Sequence, residues 1–168
     1  MKIIKLLCYL FLCLFISFDN QSDIVINNNI ESNNVFIIDI PKINLTKQVF
    51  PFYDKNNNVN KGIYLAKDYD FMTLKGTLIL ASHSGNSPIS YFKNLDLLNS
   101  GDVIKIIHNS FEYYYIIIDI YKIDKNGKFQ YSNENKTICL VTCDKKNKHK
   151  QVVYKGKLVK ITKKSTFF

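Results

Sequence analysis

Residues 103–121 read VIKIIHNSFEYYYIIIDIY, two runs of Ile, Val, Tyr and Phe on either side of the polar triplet His108-Asn109-Ser110. β-Branched and aromatic side chains fit a pleated, half-buried surface, and a short Asn-containing break between two such runs marks a hairpin. The same composition recurs in Val35 to Ile40, Thr77 to Ala81, Thr137 to Thr142 and Gln151 to Ile161, with Asn, Gly and Asp between the runs. Asn126-Gly127 is a second strong turn signal. Only Ser90 to Leu98 departs from this pattern, because Tyr91, Leu95 and Leu98 recur at the spacing of one face of a short helix. No internal repeat is visible. An all-β chain is therefore expected, a closed or nearly closed β-barrel carrying one or two short helices.

Composition narrows the function. Of the 168 residues 46% are apolar, enough for a packed core and too many for a disordered chain. All 23 basic residues are Lys, giving a net charge of +9 without a single Arg. A nucleic-acid reader would carry guanidinium forks for guanine and phosphate, so no nucleic acid is expected as a partner. The charge is instead a soluble Lys-rich surface.

Lys2 and Lys5 precede Leu6 to Phe18, an apolar run broken only by Ser17, so residues 1–18 read as a membrane anchor or signal segment. It is short for a span, which takes about 20 residues. No small residues follow for cleavage, which favours an uncleaved anchor with the N-terminus inside. Residues 19–34, rich in Asn, Ser and Asp, are expected to be a polar tether, and 35–168 the domain. Cys8 and Cys13 fall in the leader, leaving Cys139 and Cys143. Four steps of a strand would hold their Cα atoms about 13 Å apart. A disulfide needs less than about 7 Å, so both should be free thiols.

Two strand ends carry chemistry. Thr137-Ile138-Cys139-Leu140-Val141-Thr142-Cys143-Asp144 leads a β-favouring run into a Cys where a Lys-rich loop begins, a place where a thiol is both held and reachable. Leu78-Ile79-Leu80-Ala81-Ser82-His83-Ser84-Gly85 leads an apolar run into a His, which can poise a thiol or protonate a leaving amine. Alone, each is as readily a buried Cys or a hydrogen-bonding His. His108, at the hairpin, and His149, within a Lys run, are weaker candidates.

Together these segments resemble the sortases, the cysteine transpeptidases of Gram-positive cell surfaces. Leu140-Val141-Thr142-Cys143 is similar to their TLxTC signature, with Cys139 in the first Thr position. Ser82-His83-Ser84 is similar to their GHS segment, with Ser82 in place of Gly. Ile40-Pro41-Lys42-Ile43, Asn60-Lys61-Gly62-Ile63, Tyr91-Phe92 with Leu95, and Gly101-Asp102 agree in the right order over about residues 36–162. The resemblance implies an eight-stranded barrel with Cys143 as nucleophile and His83 as general acid/base. The Cys attacks the Thr-Gly bond of an LPxTG-like sorting signal, and an amine of peptidoglycan or of another protein resolves the thioester.

The third family residue is missing. Members carry Arg about eight residues after the Cys, on an R-x-V-V-x-G-K-L-like strand. Counting back from Gly156-Lys157-Leu158 puts Gln151 there, with Lys150 beside it. Successive strand residues face opposite ways, so only one of them can face the site. Gln151 would donate amide hydrogens without charge, whereas Lys150 would keep the charge and lose the fork. Val141, Thr142 and Ser82 are candidates to bind substrate or orient the strand ends, and Cys139 reads as a Thr-sized filler on the Cys143 face.

The loop from Asp124 to Lys136 corresponds to one that helps sortases recognise the signal. Calcium, bound in one branch, finds only the scattered Asp68, Asp70 and Glu134 here, so no metal and no cofactor is expected. An N-terminal anchor and no apolar tail after Phe168 resemble class A or D members rather than the pilin-polymerising branch. The expected partners are surface proteins bearing the signal and a peptidoglycan-precursor amine, with the domain outside the membrane facing the wall. Two rivals stand beside transpeptidation: an impaired sortase fold that only binds signals, and a hydrolytic cysteine peptidase.

Overall fold

A computed structural model describes residues 35–125 and 133–164. The leader, the tether, the Asn126-Gly127 turn and most of the loop after Asp124 lie outside the described residues. Eight strands form one sheet: β1 Phe36–Ile40, β2 Leu45–Val49, β3 Tyr64–Leu65, β4 Thr77–Ala81, β5 Val103–His108, β6 Phe111–Asp124, β7 Thr137–Cys143 and β8 Lys150–Lys163. Their order is β2-β1-β5-β6-β8-β7-β4-β3, antiparallel throughout except for the parallel pair β4–β7. A single parallel bridge, Val49 to Ile63, brings the two sheet edges together and nearly closes the barrel. Closure removes exposed edges that would template pairing with other chains.

The hairpin quoted above is β5–β6, with His108 opposite Phe111 and Asn109 in the left-handed region at φ 53°. Period-2 alternation then sends Ile104, Ile106, Tyr113, Tyr115 and Ile117 inward. They meet Phe36, Ile38 and Ile40 of β1, Leu78 and Leu80 of β4, and Ile138 and Leu140 of β7 in the barrel core. Each such side chain contributes about 1.5–3 kcal/mol by leaving water. β7 is buried along Thr137 to Thr142, on both faces. Its outward Cys139 and Val141 form a second cluster with Ile79 and Val153, covered by Ala66, Ala81, Tyr121 and Ile123.

Two details of the barrel go beyond what the residue pattern located. β2 and β3 did not announce themselves, because Leu45–Val49 is half polar and β3 spans only two residues. The short helix expected over Ser90 to Leu98 is a single 3-10 turn, Leu95–Leu97, the only other helical turn among the described residues being Pro41–Ile43. Phe92, Leu95 and Leu98 are buried while Tyr91 is half-buried. The inward spacing is thus three, that of 3-10 turns rather than of an α-helix.

Gly156 sits between β6 and β7, opposite Ile117 and Ile138. A Cβ there would lie 2.8 Å from Ile138 Cγ2 and 3.4 Å from both Ile116 O and Tyr115 Cβ. Gly156→Ala is therefore expected to lower unfolding stability by about 1–3 kcal/mol through overpacking, measured by urea denaturation. A loss below about 0.5 kcal/mol would mean that β7 and β8 move apart freely.

Candidate active site

The site is built by the parallel pair. β4 and β7 run with a constant offset, Thr77 beside Thr137 through Ala81 beside Val141. The start of the ladder is fixed by a 2.7 Å hydroxyl–hydroxyl hydrogen bond between Thr77 and Thr137. Beyond the last pair, Ser82 N donates to Val141 O (3.3 Å), Thr142 Oγ1 donates to Ser82 O (2.8 Å) and Ser84 Oγ donates to Cys143 O (2.8 Å). Carried two residues past the last pair, the same offset brings the backbone of His83 level with that of Cys143. A slip of one residue would turn the two side chains to opposite faces, so pinning both ends of this ladder positions the chemistry.

Alternation extends the site across four strands. Ile79 and Ala81 of β4, Cys139 and Val141 of β7, Val153 of β8, and Tyr121 and Ile123 of β6 share the outer cluster. Two residues on in each case, His83, Cys143 and, past the end of β6, Lys125 follow on that face. Gln151 lies directly opposite Cys143 on β7 and opposite Ile123 on β6, so it shares the face too. A groove of about 380 Å³ runs along it, lined by Tyr64, Ala66, Ile79, Ala81, Lys125, Val141 and Gln151.

Individual contacts sharpen these roles. Cys143 is partly exposed, whereas Cys139 is buried and burial pushes its thiol up to about 11. Both are free thiols, as their separation along one strand requires. Cys139 fills the second cluster, and its desolvated thiol resists ionisation. The His83 ring Nε2 lies 3.2 Å from Asn60 Oδ1, and His83 O accepts from Phe92 N at 3.1 Å. An amide oxygen only accepts, so Nε2 is the donor in this hydrogen bond. Lys125 Nζ donates to the Cys143 sulfur at 3.6 Å.

Of the candidate substrate residues, Val141 lines the groove. Ser82 and Thr142 are buried on the opposite face and tie the strand ends together. Gln151 and Lys150 separate as alternation requires: Lys150 lies opposite Asp124 and binds it at 2.9 Å, while Gln151 faces Cys143. After the Cys, Asp144 is buried, accepts from Lys146 N (2.9 Å) and pairs with Lys122 at 2.6 Å. The Lys122 ammonium holds its carboxyl below the usual range, so the pair persists until pH falls through that lowered value. Among the described residues no group of three or more His, Cys, Asp or Glu could hold a metal.

Sequence reasoning missed Lys125, Asn60 as the imidazole partner, and Ser84 as a brace. Lys125 gives no sequence signal among 23 lysines, and only the strand register places it.

A family model described as Sortase domain matches residues 38–159. Sortase A of Listeria monocytogenes is similar in structure, with a TM-score of 0.64 and 23% identity over 77% of this chain and 90% of that one. Sortase C-3 of Streptococcus pneumoniae gives 0.63 and 21% over 78% of this chain and 65% of that one. Sortase E1 of Streptomyces coelicolor, solved with a tripeptide in its active site, gives 0.60 and 19% over 76% and 89%. No curated protein sequence matches the chain.

Proposed function

The chain belongs to the sortase family of cysteine transpeptidases, and on that premise we propose that it cleaves an LPxTG-like sorting signal through Cys143 and passes the acyl group to a cell-wall amine. The observation that supports the reading is the register of β4 and β7, whose strand ends, bearing His83 and Cys143, are tied together by Thr142 Oγ1 on Ser82 O and Ser84 Oγ on Cys143 O. The groove behind them, walled by Ala66, Ile79, Ala81 and Val141, suits an extended apolar peptide.

In the proposed reaction the Cys143 thiol releases its proton to solvent, while a protonated His83 carries the proton it will deliver. The sulfur attacks the Thr carbonyl carbon of the signal. The S–C bond forms and the carbonyl electrons move to oxygen. Their return breaks the C–N bond, and His83 delivers a proton to the departing Gly amine. An incoming amine then attacks the thioester, loses its proton to His83 and releases the sulfur. Gln151, facing the sulfur from β8, donates an amide hydrogen to the developing oxyanion.

The test incubates the full chain in detergent with LPxTG-like peptides, with and without an amine acceptor, and reads the intact protein mass. An acyl adduct on Cys143 that clears into amine-linked product is the expected result. Clearance to the free acid despite the amine would make the protein a hydrolytic peptidase. Binding with no adduct from any peptide would make it a non-catalytic signal binder.

Gln151→Ala is expected to slow adduct formation about tenfold to a hundredfold by removing one oxyanion donor. Lys150→Ala, whose ammonium is held on Asp124, should change it less than about threefold. Equal rates in both variants would remove Gln151 from the mechanism.

Sortases are generally associated with the cell surface. We propose that residues 1–18 anchor this one with its N-terminus inside and its domain facing the wall, which membrane fractionation of the full chain tests. These residues lie outside the described ones, among which no helix is long and apolar enough to cross a membrane.

A further inference from the structure

We infer that Lys125 is the cationic catalytic residue of this arginine-free site, its ammonium beside the Cys143 sulfur supplying charge while Gln151 supplies a neutral donor. This deepens the reading above and rests on it for the acyl-transfer step.

Four observations carry it. First, the distance from Lys125 Nζ to the sulfur is 3.6 Å. Second, the residue is placed by structure: its backbone N–H donates to His149 O at 2.8 Å, just past the end of β6, on the face of Ile123, Gln151 and Cys143. Third, Lys125 and Gln151 both line the groove that the peptide would fill. Fourth, neighbouring lysines are engaged elsewhere: Lys122 on Asp144 (2.6 Å), Lys145 on Asp96 (3.0 Å) and Lys150 on Asp124 (2.9 Å). Lys146 lines a second cavity together with Cys143, Thr142 and Val152, and only Lys125 has its ammonium on the sulfur among the described residues.

One guanidinium can present charge and a planar fork from a single position, whereas an ammonium is a point charge and a carboxamide an uncharged donor. Lys125 and Gln151, converging on Cys143 from adjacent strands, divide those two properties. During attack, negative charge moves from the sulfur to the carbonyl oxygen bonded to the same carbon, a shift of about one atom's width. An ammonium in contact with the sulfur remains within reach of that oxygen, so it opposes the charge throughout the step.

The test has two arms on the full chain in detergent. The first needs no sorting signal: Cys143 is alkylated with anionic iodoacetate and with neutral iodoacetamide, and the Cys143-containing peptide is quantified by mass. The ratio of the two rates reads the local charge. Lys125→Ala is expected to lower it about fivefold, the effect of one unit charge near 4 Å in a watery environment. Lys125→Arg should preserve it, and 1 M salt should bring the wild-type ratio toward that of Lys125→Ala. The second arm measures thioester formation with an LPxTG-like peptide. Lys125→Ala should slow it about a hundredfold with little change in KM, and Lys125→Arg should recover most of the rate.

An unchanged alkylation ratio in Lys125→Ala would overturn the inference. So would a lowered ratio with wild-type acylation, or an Arg variant as slow as the Ala variant. If the wild type forms no adduct with any peptide, the proposed function fails, while the alkylation arm still decides whether Lys125 charges the site.

Discussion

Cys143→Ala is expected to eliminate the acyl adduct and to reduce peptide cleavage by at least about 10⁴-fold, the largest effect of any single change in this protein. Without the sulfur the reaction would need a water to attack an amide that the enzyme has only positioned. The loss should be chemical rather than structural. Cys143 is partly exposed at the end of β7, and its backbone is held by Gln151 on one side and by Ser84 Oγ on the other. Neither contact uses the thiol, so the melting temperature should stay near that of the wild type. Cys139→Ala is the informative partner. Its sulfur is buried in the cluster of Ile79, Val141 and Val153, and desolvation pushes its thiol up to about 11. That substitution should cost some stability by leaving a small cavity, yet retain the adduct. Intact mass spectrometry of both variants with an LPxTG-like peptide decides the matter. An adduct that survives Cys143→Ala and disappears with Cys139→Ala would reverse the assignment of the nucleophile.

The barrel was legible where strands are long and apolar. Thr77–Ala81, Val103–His108 and the Thr137 run follow from β-branched composition, and His108-Asn109-Ser110 marked the tightest hairpin. β2 was not legible because it lies at one end of the sheet order. Lys47 falls where an apolar residue would complete the alternation between the buried Leu45 and Val49, so the pattern does not distinguish Leu45–Val49 from a loop. β3 was not legible because two residues hold no period at all. The expected short helix is confined to the 3-10 turn Leu95–Leu97 for a related reason: Tyr91, Leu95 and Leu98 satisfy a helical spacing, yet Phe92, not Tyr91, enters the core. A pattern of three residues cannot separate a spacing of three from one of four.

The candidate site divides along the same line. Cys143 and His83 end apolar runs, and that local signal survives without any knowledge of pairing. What joins them is an offset between parallel strands 60 residues apart, a long-range property that no local composition encodes. Lys125 depends on longer-range information still, since it needs the β6–β8 and β7–β8 registers together. The choice between Gln151 and Lys150 was open in the sequence because a one-residue miscount exchanges the faces. Pairing separates the two positions: the strand partner of Cys143 is Gln151, and the carboxylate of Asp124 takes Lys150.

His83→Ala should reduce thioester formation from a peptide signal by about 10²–10⁴-fold, the usual contribution of a positioned general acid. The size of the loss should depend on the leaving group, which separates this role from mere support of the strand end. Expulsion of an amine needs a proton in the transition state, whereas expulsion of a phenolate does not. A nitrophenyl ester of the same acyl segment should therefore lose far less rate in His83→Ala than the peptide does. Asn60→Ala supplies the graded case. It removes only the 3.2 Å partner of Nε2, leaving the ring free to turn, and should slow peptide acylation about tenfold with the ester again less affected. The fold should tolerate both changes, because His83 is held through its carbonyl by Phe92 N and the strand ends are tied by Ser84 and Thr142. Equal losses on peptide and ester in His83→Ala would move the imidazole from proton delivery to activation of the sulfur, since only a group needed for attack slows both substrates alike.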